Sequence, residues 1–335
     1  MYTGMDTVNS LYERLEVEDE WSVRYENGFK WWPCRMAQTV EVACESNKLA
    51  FMTGYYISVR TEICRVINLG PDVCKFLNRE LMPCASLAGL VYNPDKGVIE
   101  LCSWILVFEH YREWMESALW AAAALQVHEG ETMVNFIGSA GGMGPAVSGH
   151  PNSGVRREKS RGILSCLDWI ASARGRPSPW QPRDMQEAAD WSEPIFGTDT
   201  VTVSGRTLSA DFPFINLPST ISMTPGISVH RMGNGLNLWQ RFPLPETTED
   251  REYCTSTPYT KKREAMALEL NEPKILPCGA GHGFGSYFYA DDILIYTSFI
   301  PDALYDPSMP FYFYASALER GFMMNKLAPR FSVDD

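Results

Sequence analysis

The chain has 335 residues, 45 % of them hydrophobic and 21 % charged, a globular composition that excludes an intrinsically disordered chain. At roughly 150 residues per domain, the length corresponds to about two domains, each able to bury a core. The net charge of −12 argues against a phosphate-backbone binder, and no apolar run reaches the roughly 18–20 residues that span a bilayer, so neither nucleic acid nor membrane is an expected partner.

The first residues, MYTGMDTVNSLYERLE, have no basic stretch followed by an apolar core. They read as lacking a signal peptide, and the expected location is the cytoplasm. Nine cysteines are scattered along the chain: Cys34, Cys44, Cys64, Cys74, Cys84, Cys102, Cys166, Cys254 and Cys278. An odd number without CxxC spacing is a poor disulfide framework and gives no support for a zinc site. They read as small buried hydrophobes in a reducing compartment.

In chain order, Asp6 caps a first helix with the stripe Val8, Leu11, Tyr12 and Leu15. Trp21 to Arg24 reads as a strand, and Glu26-Asn27-Gly28 as the tight turn into a second strand, Phe29 to Trp32. A strand pair follows, from about Ala37 to Cys44 and Tyr55 to Ile67. In it Tyr56, Ser58 and Arg60 alternate with Ile57, Val59 and Thr61, the period of a half-exposed strand. Pro71 opens a short helix with Val73, Phe76 and Leu77 inward. Leu87 to Tyr92 and Val98 to Phe108 form a hairpin around Asn93-Pro94-Asp95-Lys96-Gly97. A strong helix then runs from about Tyr111 to Val127, rich in alanine.

Residues 138–162 combine a glycine-rich run with a charge run and have no apolar periodicity, so they read as a flexible linker. This divides the chain into a first domain at 1–137 and a second at 163–335. A helix carrying Ile163, Leu164, Leu167 and Ile170 begins the second, and Arg176 to Pro182 is irregular. The second half echoes the first. Ser22 to Trp32 finds a counterpart in Ser228 to Trp239, and Leu81-Met82-Pro83-Cys84 in Ile275-Leu276-Pro277-Cys278. The hairpin Leu90 to Ile105 maps onto Gly285 to Ile300, followed by a helix with Phe311, Tyr314, Leu318 and Phe322. The expected fold is therefore α+β, two tandem helix–antiparallel sheet–helix units from an internal duplication, with extra strand material at about Thr200 to Asn216.

The order of these elements, with Gly28-Phe29-Lys30-Trp31-Trp32-Pro33, Leu90-Val91-Tyr92-Asn93-Pro94 and Ala121-Ala122-Ala123-Ala124-Leu125-Gln126, resembles the bacterial proteins grouped with YbjN and the type III secretion chaperones. The resemblance is clearest over residues 5–130. It implies a compact helix–sheet–helix unit, often dimeric, that holds a peptide or protein client without catalysis. A duplicated chain would then pair its own halves as a pseudo-dimer, or form a homodimer.

Adjacent strand residues point to opposite faces, so one of Trp31 and Trp32 is expected in the core and the other at solvent or a partner. Together with Trp104 and Trp239 they are the candidate partner-binding residues. The string Tyr289-Ala290-Asp291-Asp292-Ile293-Leu294-Ile295-Tyr296 resembles the catalytic hairpin of reverse transcriptases, in which paired aspartates bind two Mg²⁺. Asp211 is the only tempting third carboxylate. The negative net charge opposes a template binder, and aspartate is an ordinary turn residue. Gly279 to Gly285 precedes a strand rather than a helix, so it does not read as a phosphate cradle. His110, His128, His150, His230 and His282 show no hydrolase or metalloprotease pattern. The function expected is non-catalytic protein or peptide binding, without cofactor or metal. A structural subunit of a larger assembly is the alternative, and a Mg²⁺-dependent nucleotidyl-transfer enzyme using Asp291 and Asp292 the remote one.

Overall fold

The computed structural model describes residues 3–46, 54–137, 142–196, 201–227, 233–244, 258–272, 284–290 and 293–328. The fold is α+β, with two antiparallel sheets and seven α-helices among these residues. Helix α1 (Gly4–Arg14) starts one turn earlier than Asp6 suggests. Thr3 is the cap, and the Asp6 carboxylate reaches back to accept the Thr3 N–H at 2.6 Å. The first sheet takes β1 (Ser22–Tyr25), β2 (Gly28–Trp31), β3 (Gln38–Ser46), β4 (Gly54–Val66), β5 (Gly89–Asn93), β6 (Val98–Val107) and β7 (Met143–Pro145). Their order is β1-β2-β3-β4-β6-β5, and β7 pairs with β4. Between β4 and β5 runs α2 (Pro71–Phe76), continued by a π-type turn over Leu77–Leu81.

Helices α1 and α3 (Arg112–Ile137) pack on one face of this sheet. The alanine run lets α3 lie close, for Ala118 and Ala121 to Ala124 have no exposed surface. A Cβ on Gly130 would stand 2.7 Å from Ile63 Cγ2, so this turn of α3 requires glycine. The helix outlasts its expected end at Val127 because Met133 and Ile137 extend the buried stripe. Polar groups under α3 are bonded in sequence. Gln38 Nε2 donates to Thr61 Oγ1 at 2.7 Å and to Ala123 O at 3.0 Å, and Thr61 donates to Gln126 Oε1 at 2.8 Å.

The second half contains α4 (Arg161–Ala171), α5 (Pro182–Phe196), β8 (Val201–Ser204), β9 (Thr207–Phe212), β10 (Ser219–Ile227), β11 (Asn234–Pro243), α6 (Pro258–Leu270), β12 (Ser286–Ala290), β13 (Ile293–Pro301) and α7 (Met309–Leu327). From its β8 edge, the second sheet runs β8-β9-β10-β11-β13-β12. That is the order of the first sheet, strand for strand. The strand material at Thr200 to Asn216 is thus not extra: β8 and β9 occupy the places of β1 and β2. The pairing of Asn27-Gly28 with Asn234-Gly235 is corrected accordingly, since Gly28 begins a second strand and Asn234 a fourth. The inward stripe of α7 is also not the expected one. Phe313, Tyr314, Ala317, Gly321 and Met324 are buried, whereas Phe322 is exposed.

The flexible linker is corrected for its described part. Residues 142–160 form a strap tied to the first sheet by β7 and by backbone bonds from Ser148 to Arg35 and Ser160 to Pro33. Arg156 adds a two-pronged pair with Glu18, at 2.7 and 2.8 Å. Gly162, at the end of the strap, lies so close to the Leu15 carbonyl that no Cβ fits. One hydrophobic cluster runs through both halves.

The edge strands β5 and β12 lie near each other where the halves meet. There Asn78 Oδ1 accepts the Tyr289 N–H at 3.0 Å, and its Nδ2 donates to Glu264 O at 2.7 Å. Asn271 Oδ1 accepts the Tyr287 N–H at 2.7 Å. Replacing Asn78 by Leu strands a buried N–H and a buried carbonyl, so it should cost about 2–5 kcal/mol in urea unfolding. A loss no larger than that of the exposed control Asn152→Ala would show that the junction does not rest on this amide.

Candidate functional site

Strand alternation does send Trp31 inward. It has no exposed surface and donates from Nε1 to Gln38 Oε1 at 3.0 Å. Trp32 leaves on the other side, but only 4 % of it is exposed. The strap covers it: Nε1 donates to Ser148 Oγ at 3.1 Å, and the His150 ring meets it edge-on at 5.0 Å. The expectation that one of the pair faces solvent or a partner is therefore corrected. Trp104 is half-buried against Tyr56, with ring centres 5.6 Å apart, and its Nε1 has no hydrogen-bond partner. Trp239 is half-buried on the second sheet beside Phe288, at 6.3 Å. No ring contact among the described residues joins any two of these four tryptophans. Asp291, Asp292, His230, His282 and Gly279 to Gly283 lie outside the described residues.

A different place gathers chemistry. On the face of the first sheet opposite α3, a cleft of about 650 Å³ opens between the strands and α6. Its floor is Thr39 and Glu41 of β3, Arg60 of β4 and Glu100 of β6. The β5–β6 turn, from Tyr92 to Lys96, forms one wall, and Leu268, Glu269 and Glu272 at the end of α6 form the other. Sequence periodicity cannot find such a site, because its residues are more than two hundred positions apart. The alternation in β4 gave the nearest signal, yet β4 is buried or half-buried as far as Cys64 rather than half-exposed.

The charges in and beside the cleft form one network. Glu62 binds Lys30 and Lys96, each at 3.1 Å. Glu100 binds Lys96 and Arg60, each at 3.2 Å, and Arg60 reaches Glu272 at 3.4 Å. Burial by itself raises the Glu62 carboxyl, but Lys30 and Lys96 outweigh it and hold the group below its ordinary range. Burial likewise lowers the Lys96 ammonium, and Glu100 and Glu62 reverse this. Among the described residues that line the cleft, carboxylates outnumber cations. Glu41, Asp95, Glu100, Glu269 and Glu272 line the cleft against the cations Arg60 and Lys96, each of which already holds two carboxylates. Tyr25 adds a hydroxyl donor to Glu41 at 3.2 Å.

The described thiols are poor nucleophiles. Cys34, Cys64, Cys74, Cys102 and Cys166 are free and buried. Burial pushes Cys34 up to about 11 and both Cys64 and Cys102 up to about 12. No group of three or more His, Cys, Asp or Glu that could hold a metal ion occurs among the described residues. No helix described is long and apolar enough to cross a membrane.

Because both neighbouring tryptophans are enclosed, Trp31→Ala and Trp32→Ala should each lower the melting temperature, Trp31 by the equivalent of about 3–5 kcal/mol. Thermal unfolding followed by circular dichroism checks this. An unshifted transition for Trp32→Ala would mean that the strap does not enclose it.

Compared with known proteins, the chain matches no family model, and no curated protein is significantly similar to it.

Proposed function

We propose that the chain is a non-catalytic binding protein whose cleft holds a lysine- or arginine-bearing segment of a partner protein or peptide. The observation that carries this is the acidic surplus of the cleft: five carboxylates face two cations that are already engaged. A volume of about 650 Å³ is in the range of ligand sites, and complementary charge favours encounter with a basic segment. The resemblance to the YbjN and type III secretion chaperone proteins points the same way, toward a client held without chemistry.

The same reading takes the chain as two duplicated helix–sheet–helix units forming a pseudo-dimer. It is supported by the matching strand orders and by Leu77-Asn78 and Leu270-Asn271, equivalent pairs beside β12. The free buried thiols support a reducing compartment such as the cytoplasm.

The test is fluorescence anisotropy with labelled short peptides, one lysine-rich and one glutamate-rich. The lysine-rich peptide should bind and the glutamate-rich one should not. Added salt should weaken binding. Asp95 and Glu269 are exposed, so the double variant Asp95→Lys, Glu269→Lys keeps the fold and should reduce affinity about tenfold or more. Equal binding of the two peptides, or an unchanged affinity in the charge-reversed variant, would overturn the proposal.

A further inference from the structure

Glu129 stands in the C-terminal half of α3 and is only 3 % exposed. Its Oε2 accepts the Ser86 N–H at 3.2 Å, the Ser86 hydroxyl lies beside the carboxyl, and Oε1 has no partner at hydrogen-bond geometry. A buried carboxylate oxygen without a donor is unfavourable unless a cation or a proton satisfies it. Glu129 lines a cavity of about 60 Å³, walled by Leu81 and Met133 and opening past Thr132 and the exposed Phe136. Acid at the floor, apolar walls and an open rim together match a side chain with an apolar stem and a cationic tip.

We propose that this cavity is a socket for a primary ammonium group, the side-chain head of a lysine on the bound client, an assignment that rests on the basic-client reading above. So small a space suits a compact ammonium rather than a planar guanidinium. The stem lies against Leu81, Met133 and Phe136, and the ammonium donates to Glu129 Oε1. Oε1 is closed to solvent as it stands, and the unbranched Met133 side chain is the wall able to yield. Leu81 belongs to the π-type turn that continues α2, whose Cys74 lines the cleft. Socket and cleft thus border one structural element, the helical segment from Cys74 to Leu81.

The titratable groups at the socket are Glu80 on the π-type turn and His128 on α3, with the Lys159–Glu131 pair on the strap side at 2.7 Å. Burial, then Lys159, lowers His128, so it is neutral at pH 7. Burial pushes the Glu129 carboxyl up to about 7, opposed only by Ser86. Below that pH the floor is a neutral acid. Lysine binding then breaks its O–H bond and releases the proton to solvent, while the ammonium keeps all its protons. Affinity should therefore fall about tenfold per pH unit below 7.

The probe is Nα-acetyl-lysine methylamide, followed through the Ser86 amide resonance of the full chain. Saturable binding with Kd on the order of a millimolar is expected at pH 8. The Nε-acetylated probe should not bind, and Glu129→Gln should abolish binding. Phe136→Ala, at an exposed position, tests the socket without touching the core and should weaken binding several-fold. The cleft variant Asp95→Lys, Glu269→Lys should leave this probe unaffected, which separates failure of the socket from failure of the cleft. Equal binding of the acetylated probe, binding retained in Glu129→Gln, or affinity independent of pH would overturn the assignment.

Discussion

Where the halves meet, the edge of β12 turns the N–H groups of Tyr287 and Tyr289 away from β13, with no strand to receive them. An unmet donor buried there would cost about 1–3 kcal/mol. The acceptors come from two side chains, Asn271 and Asn78. An amide suits the task because it accepts and donates at once: Asn78 also donates to Glu264 O and Cys74 O, and Asn271 to Tyr287 O. These bonds fix α2 and α6 relative to β12. Once α6 is held there, Glu272 just beyond its end comes within 3.4 Å of Arg60 on the first sheet, and the cleft has its second wall. The site thus depends on a backbone-satisfaction problem solved some distance from it.

The ion network on the cleft floor follows from a similar constraint. The Glu100 side chain is only 2 % exposed, and a carboxylate so enclosed needs partners or takes up a proton. Lys96 and Arg60 approach it from two sides and are themselves shared with Glu62 and Glu272. Shared pairs of this kind contribute more to orientation than to stability, because desolvation offsets much of the attraction. They orient the floor and leave the carboxylates at the rim to set the potential there.

Much of the architecture was legible in the sequence, because it depends on local signals. The apolar stripe of α1, the β5–β6 turn at Asn93 to Gly97, the helix opened by Pro71 and the alanine-rich α3 each declared themselves through periodicity or turn chemistry. Helices α5 and α6 did not. In α6 the polar residues Arg263 and Glu264, with Asn271 just past its end, are drawn into the junction, so no apolar stripe marks its buried side. The common strand order was legible in the β5–β6 and β12–β13 hairpins but was misaligned at the Asn-Gly pairs. That dipeptide recurs wherever a strand starts tightly, and it does not say which strand. The cleft was illegible, since Glu41, Arg60, Glu100 and Glu269 become neighbours only through strand order and the junction.

The strap and Trp32 were misread for one shared reason. Glycine and charge in residues 138–162 signal the absence of a helical or strand period, not the absence of structure. A segment without periodicity can still be pinned through backbone bonds, as Ser148 and Ser160 are, and through a single bidentate pair such as Arg156 with Glu18. Once pinned, it buries whatever the strand beneath presents outward, and here that is Trp32. Adjacency in a strand therefore assigns a residue to a face, but what covers that face is decided elsewhere in the chain. In the proposed reading the recognition surface shifts from the aromatic pair, which the fold encloses, to the carboxylates. Their acidity was visible in the net charge, and only the packing of α6 against the first sheet gives it a location.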